Sequence, residues 1–251
     1  MRLRTPPPHA LTRSPRTPRF PDTRLSLLTA LAATDPDARR GAADLLYRAY
    51  RAPVLDIFRW RWHLGDADAE DAVQEFFATA LEKGWLQRFD PARARFRTFL
   101  RVCADRFAAH QLEASGRQKR GGGMTPLAFD DVAQELVASD DPADARFRAE
   151  WVRSVLTLAV EEFKAEAESE GRQVHFALFR AYDLVDGDDH DRPSYADLAA
   201  IHHLTDSQVI NHLAWARRRF RLRVLAVLRR LAGSDQEYRD DVRDLLGIDA
   251  P

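Results

Sequence analysis

The sequence lacks several features that would each point to a function. Cys103 is the only cysteine among 251 residues, so an intrachain disulfide and a cysteine-rich zinc site are both excluded. That fits a reducing compartment, and a cytoplasmic location is expected. No apolar run approaches the roughly 18 residues that a membrane-crossing helix needs, so no membrane association is expected. The stretch 1–22 is rich in Arg and Pro without the apolar core of a signal peptide, and it reads as a disordered arm. No Ser/His/Asp order or catalytic carboxylate pair stands out, and Gly121-Gly122-Gly123 lacks the Lys-Ser/Thr of a phosphate-binding loop. The acidic run from Asp186 to Asp191 has no Glu at the twelfth position of a calcium loop. His202 and His203 diverge by about 100° on a helix and cannot readily share an ion with His212. The expectation is therefore a protein with no enzymatic activity, no cofactor and no metal.

Net charge is also nearly absent, at −1, which taken alone argues against a nucleic-acid partner. The average conceals segregation. Nine Arg/Lys face three acids between Arg88 and Arg120, and seven Arg face one Asp between Thr205 and Arg230. Between Asp130 and Glu170 the balance is four against twelve. Local basic faces attract phosphates whatever the whole-chain sum. Composition is otherwise that of a globular chain, 45% apolar and 31% charged, long enough for one large or two small cores.

The apolar periodicity is helical throughout. Ala72, Val73, Phe76, Phe77, Ala80 and Leu81 repeat at paired i, i+4 spacing over Asp68 to Glu82, leaving Asp71, Gln74, Glu75 and Glu82 outward. Gly84 reads as the residue that closes this helix. Phe96, Leu100, Cys103 and Phe107 make a second stripe, with Arg97, Arg101 and Asp105 on its opposite side. Before these, Leu25 to Ala33, Ala38 to Tyr50 and Val54 to Trp62 read as helices, the last two separated at Pro53. After Asp130 to Asp144, which reads as linker, come helices over Ala145 to Glu170 and Val174 to Leu184.

Two capping signals follow. Ser194-x-x-Asp197 opens a helix Tyr195 to His202, with Leu198 and Ile201 expected inward, and Thr205-x-x-Gln208 opens a longer one buried through Val209, Leu213, Ala216, Phe220 and Val224. Two helices about three residues apart, the second with a basic outer face, read as a helix-turn-helix. The outer face carries Ser207, Asn211, Ala214, Trp215 and Arg218, with Arg217, Arg219 and Arg221 beside it. Small and amide side chains near the start suit base edges, and arginines further along suit phosphates. An arginine-rich helix end also occurs as a plain solvated face complementing the helix dipole. Ser234 to Leu246 reads as an acidic capped helix closing over this unit.

Asp71-Ala72-Val73-Gln74-Glu75-Phe76-Phe77, then Phe89-Asp90-Pro91 and Phe96-Arg97-Thr98-Phe99-Leu100, resembles region two of bacterial sigma factors of the extracytoplasmic-function type, within the sigma-70 family. Ser194 to Ala199 with Val209 to Arg217 resembles region four of the same type. His203 stands where the family usually has a turn glycine, and Ile210 where it usually has lysine, so promoter choice stays open. The resemblance implies an all-α chain of two helical domains joined by a flexible linker. These are a region-two-like domain (23–118), a linker (119–144), a region-four-like helix-turn-helix domain (145–232) and an acidic C-terminal helix (233–251). It implies a factor that docks on core RNA polymerase and directs transcription initiation at minus-ten and minus-thirty-five promoter elements. Asp71, Gln74 and Glu75 would meet the clamp helices of the β′ subunit, and the second domain the β flap. Arg97, Arg101, Arg117, Lys119 and Arg120 would hold the minus-ten strand. Ser207, Gln208, Asn211 and Arg218 would read the minus-thirty-five duplex, with Arg217, Arg219 and Arg221 on phosphates. An anti-sigma factor or another regulator is a further expected class of partner. Two other readings stay open: a helix-turn-helix regulator acting without polymerase, and a sigma-like protein-interaction module that binds no DNA.

Overall fold

Helices α1 (Leu27–Leu31), α2 (Pro36–Trp60), α3 (Asp66–Glu82) and α4 (Phe96–Gln118) form the first part of the chain, with a 3-10 turn at Trp85–Arg88 between α3 and α4. Helices α5 (Pro142–Ser169), α6 (Gln173–Asp183), α7 (Tyr195–His202), α8 (Asp206–Leu231) and α9 (Asp235–Leu246) complete it. This computed structural model describes residues 27–118, 141–185 and 192–250, and no strand occurs among them. The all-α expectation holds. The arm 1–22, residues 119–140 of the linker and the Asp186 to Asp191 run lie outside the described residues.

Helix α2 corrects the expected break at Pro53. It runs unbroken from Pro36 to Trp60 with Pro53 inside, although an interior proline removes one backbone hydrogen bond and costs about 3 kcal/mol. Burial on both sides of Pro53 offsets that cost, because Leu46, Ala49, Tyr50, Val54, Ile57 and Phe58 all enter the same core. The start is well made, with Pro36 in the first turn and the Asp35 carboxylate accepting from the Asp37 and Ala38 amides.

The stripe of α3 buries Ala72, Val73, Phe76, Phe77 and Ala80, while Leu81 remains 40% exposed. Gly84 takes φ 63° and turns the chain back, a conformation that a side chain disfavours. Rings continue the packing. Tyr47 meets Phe77 edge-on at 5.3 Å and Phe58 meets Phe107 at 6.3 Å, between centroids.

Two long helices tie the first part of the chain to the second. The early residues of α5, Phe147, Trp151, Val155 and Leu158, belong to the same core as α2 to α4, whereas Phe163 and Ala167 join a separate cluster with Phe179 and Ala216. Helix α8 repeats the division in reverse. Val209 and Leu213 pack with Leu178 and Leu198, while Val224, Val227, Leu228 and Leu231 enter the main core. At 1.5 Å per residue these helices are about 40 Å long, so each reaches both ends. Carboxylates of α5 and arginines of α8 line their contact: Glu162 with Arg230, Glu166 with Arg223 at 2.7 Å, and Glu170 with Arg219 at 2.8 Å. Helix α5 starts at Pro142, three residues before the expected second unit, and its first half completes the first core.

Candidate functional site

Three surfaces carry the residues singled out from the sequence. On α3, Asp71, Gln74 and Glu75 are exposed, opposite the buried stripe. Acids on the α2 side of the same helix are engaged, Asp66 with Arg59 at 3.0 Å and Glu70 with Arg51 at 2.5 Å. Glu75 accepts from the Gln111 side chain of α4. Asp71 and Gln74 have no side-chain partner among the described residues, so this patch offers acceptors and an amide to solvent.

On α4 the structure corrects the expected outward face. Arg97, Arg101 and Asp105 are 7%, 6% and 9% exposed. The side they occupy does turn away from the aromatic core, but α5 and α9 lay a second layer over it. Arg97 donates to Asp241 of α9 and stacks over the Trp151 ring, 5.0 Å from its centroid. Arg101 donates to Asp105 at 2.6 Å and pairs with Asp144. Trp62 Nε1 donates to Asp105 at 3.0 Å. Burial raises the Asp105 pKa, opposed by the Trp62 hydrogen bond and the charges of Arg61 and Arg101. Lys119, Arg120 and the Arg117 side chain lie outside the described residues.

On α8 the expected outer stripe is present. Ser207, Asn211, Arg218 and Arg221 are exposed and Ala214 is half-buried between them, in the i, i+4, i+7, i+11, i+14 series that keeps to one helix face. Arg218 and Arg221 have no partner among the described residues. The flanking arginines are already engaged: Arg217 holds Asp183 through hydrogen bonds of 2.9, 3.0 and 3.3 Å, and Arg219 holds Glu170. Gln208 is exposed, with its Oε1 accepting from the Thr205 amide at 2.8 Å as the return half of the capping box. Ser194 and Asp197 make the corresponding box on α7. Between the helices His203 takes φ 56°, so the turn has the left-handed geometry despite the absence of glycine. Two side chains differ from expectation. Ile201 is 67% exposed rather than inward, and Trp215 is half-buried against the His175 ring, 4.8 Å between centroids.

Several residues of this region gave no signal in the sequence. His175 of α6 lies under α8 with its ring 4.0 Å from that of His212, and its pKa is pushed down to about 4 by burial and then by the neighbouring His212. Glu237 of α9 is 5% exposed. One of its oxygens accepts from the Phe96 amide at 2.8 Å and the other from the Gly233 amide at 2.9 Å. A side chain 141 positions away thus caps the start of α4, where helical amides lack partners of their own. Burial raises the Glu237 pKa, and those two hydrogen bonds oppose it. Arg95 faces Asp240, Asp241 and Asp244, at 3.5, 3.4 and 3.0 Å.

No helix among the described residues is long and apolar enough to cross a membrane. Comparison with curated proteins and with solved structures returns no match. Residues 46–118, from the middle of α2 to the end of α4, match the family model of Sigma-70 region 2. The segment so matched holds the α3 acceptor patch, the aromatic core beneath it and the arginines of α4, and this part of the chain is similar to region 2 of the sigma-70 factors.

Proposed function

We propose that the chain is a promoter-specificity factor of the extracytoplasmic-function type, acting in the cytoplasm, which docks on core polymerase through α3 and contacts promoter DNA at two elements. Sigma factors as a family act with RNA polymerase in promoter recognition and are not enzymes. The finer assignment rests chiefly on one observation: the surface left unengaged on α3 and the surface left unengaged on α8 differ in chemistry. Asp71 and Gln74 present an acidic, amide-bearing patch suited to a basic protein partner. Ser207, Asn211, Arg218 and Arg221 present the sequence of small, amide and cationic groups that suits a major groove.

In this reading α7 and α8 form a helix-turn-helix that reads the minus-thirty-five duplex, with Gln208 both a cap and a contact residue. Arg117, Lys119 and Arg120 serve the minus-ten strand, and Arg97 and Arg101 join them only where the α5 and α9 carboxylates that hold them are displaced. Strand opening needs no nucleotide hydrolysis, because extruded bases gain stacking and pocket contacts that offset a few kcal/mol of unpairing. The domain division at 119–144 belongs to the same proposal.

Run-off transcription with purified core polymerase on genomic fragments tests it. Defined start sites that appear only when the protein is added are expected. DNA binding without transcripts would favour a regulator that acts without polymerase, and core binding without transcripts or DNA binding would favour an interaction module.

A further inference from the structure

Arg95 just before α4, Arg97 of α4 and Arg148 of α5 converge on one side of α9, and each is met there by a carboxylate. Asp244 lies 3.0 Å from Arg95 and 3.4 Å from Arg148, and Asp241 receives Arg97. We propose that these three arginines form a phosphate-binding seat for single-stranded DNA, which α9 fills with its own carboxylates until a strand displaces it. The proposal rests on the reading that α4 serves the opened promoter strand.

The chemistry of the seat favours a phosphate backbone. Guanidinium groups pair with carboxylate and phosphate in the same fork geometry. Asp240, Asp241 and Asp244 follow one another over about 6 Å of helix, a row of negative charge instead of a single anion. The cover is specific but not costly to lift. Tyr238 and Val242 are its only buried apolar side chains, with Leu245 and Leu246 packed partly exposed beside them. The same face buries Glu237 and Asp241, whose loss of hydration offsets much of the attraction they gain. A tethered anion nevertheless competes well, because its effective concentration is high.

The experiment compares three forms of the protein by fluorescence anisotropy with a labelled single-stranded oligonucleotide at two salt concentrations. They are the parent, a chain ending at Gly233, and Asp240→Asn/Asp244→Asn. The double variant changes only partly exposed carboxylates and keeps Asp241, Glu237 and the apolar contacts, so it carries the test if the shortened chain does not fold. Both altered forms should bind the strand at least about fivefold more tightly than the parent, with the gain shrinking at high salt. A synthetic peptide of residues 234–251 added to the shortened chain should reverse its gain. Equal affinities of the parent and the double variant would overturn the seat while leaving DNA binding itself intact. No binding by any form would overturn the strand-holding role of α4 together with the seat. Tighter binding of an acidic peptide, with no change for the strand, would make the seat a protein-docking site and overturn the proposal as stated.

Discussion

Arginines of α4 and arginines of α8 have the same standing in a helical projection and opposite fates in the fold. Arg97 and Arg101 project away from Phe96, Leu100 and Cys103 just as Arg218 and Arg221 project away from Val209, Leu213 and Ala216. Yet Arg97 and Arg101 are buried and paired, whereas Arg218 and Arg221 are exposed. The difference lies in what arrives later in the chain. The outer side of α4 receives α5 and α9, both carrying acids, and the outer side of α8 receives no further helix among the described residues. An amphipathic pattern identifies the face a helix turns from its first core, and a second layer decides whether that face meets solvent.

The largest test of this contrast is stability. Arg97→Ala should cost about 3 kcal/mol, since it removes the close partner of the buried Asp241 and leaves it only Arg95 at 3.4 Å. Arg218→Ala should change stability by no more than about 0.5 kcal/mol. Urea denaturation followed by circular dichroism compares them, and equal costs would mean that the two faces are energetically alike.

Next comes the contact that seats α9. A Cβ added at Gly233 would lie 2.5 Å from Cε1 of Phe89, too close without moving the ring. Gly233→Ala should cost about 1–3 kcal/mol, as overpacking does, and should speed amide exchange at Phe96 by loosening Glu237. Unchanged exchange there would show that the Glu237 cap does not depend on the turn at Gly233.

On the open face the effect is on recognition. Asn211→Ala should relax preference at one or two base pairs by about 1–3 kcal/mol if the amide contacts a base edge. Arg221→Ala should weaken all sequences alike and reduce the salt slope by about 1. A binding-site selection on both variants separates these outcomes, and identical profiles would break the division between reading and anchoring groups. On α3, Gln74→Ala with Glu75→Lys should weaken binding to core polymerase in a titration while leaving helicity unchanged.

The smallest expected effect is a pH dependence confined to the covered face. Glu237 and Asp241 have raised pKa values, burial being the first cause in each. The folded state therefore holds these protons more tightly than the unfolded chain. Their contribution to stability is full below the ordinary carboxylate range and is lost as pH rises through the raised values. Docking of α9 should thus loosen from about pH 4.5 upward. Glu237→Gln should flatten that slope, measured by amide exchange at Phe96 against pH, and an unaltered slope would assign it to other groups.

Much was fixed by local chemistry. The stripes of α3 and α4, the two capping boxes at Ser194 and Thr205 and the turn at Gly84 follow from spacing and from side chains that satisfy nearby amides, so they could be read in order along the chain. The same local character made the Sigma-70 region 2 pattern recognisable, because the residues that carry the resemblance, Asp71 to Phe77 and Phe96 to Leu100, lie on two adjacent helices. What spacing could not supply was anything that depends on partners far apart. Pro53 stays within α2 because buried residues on both sides of it share one core. Ile201 points outward and Trp215 is drawn against His175 because of how α6 and α7 pack on α8. Glu237 caps a helix 141 positions away, and Asp241 claims Arg97. Helical propensity and periodicity act over a few residues, so the sequence determined the helices and their first buried faces. The pairing of charges between α9 and α4 depends on where tertiary packing places the end of the chain, and only the folded structure decided which arginines were left to meet a partner.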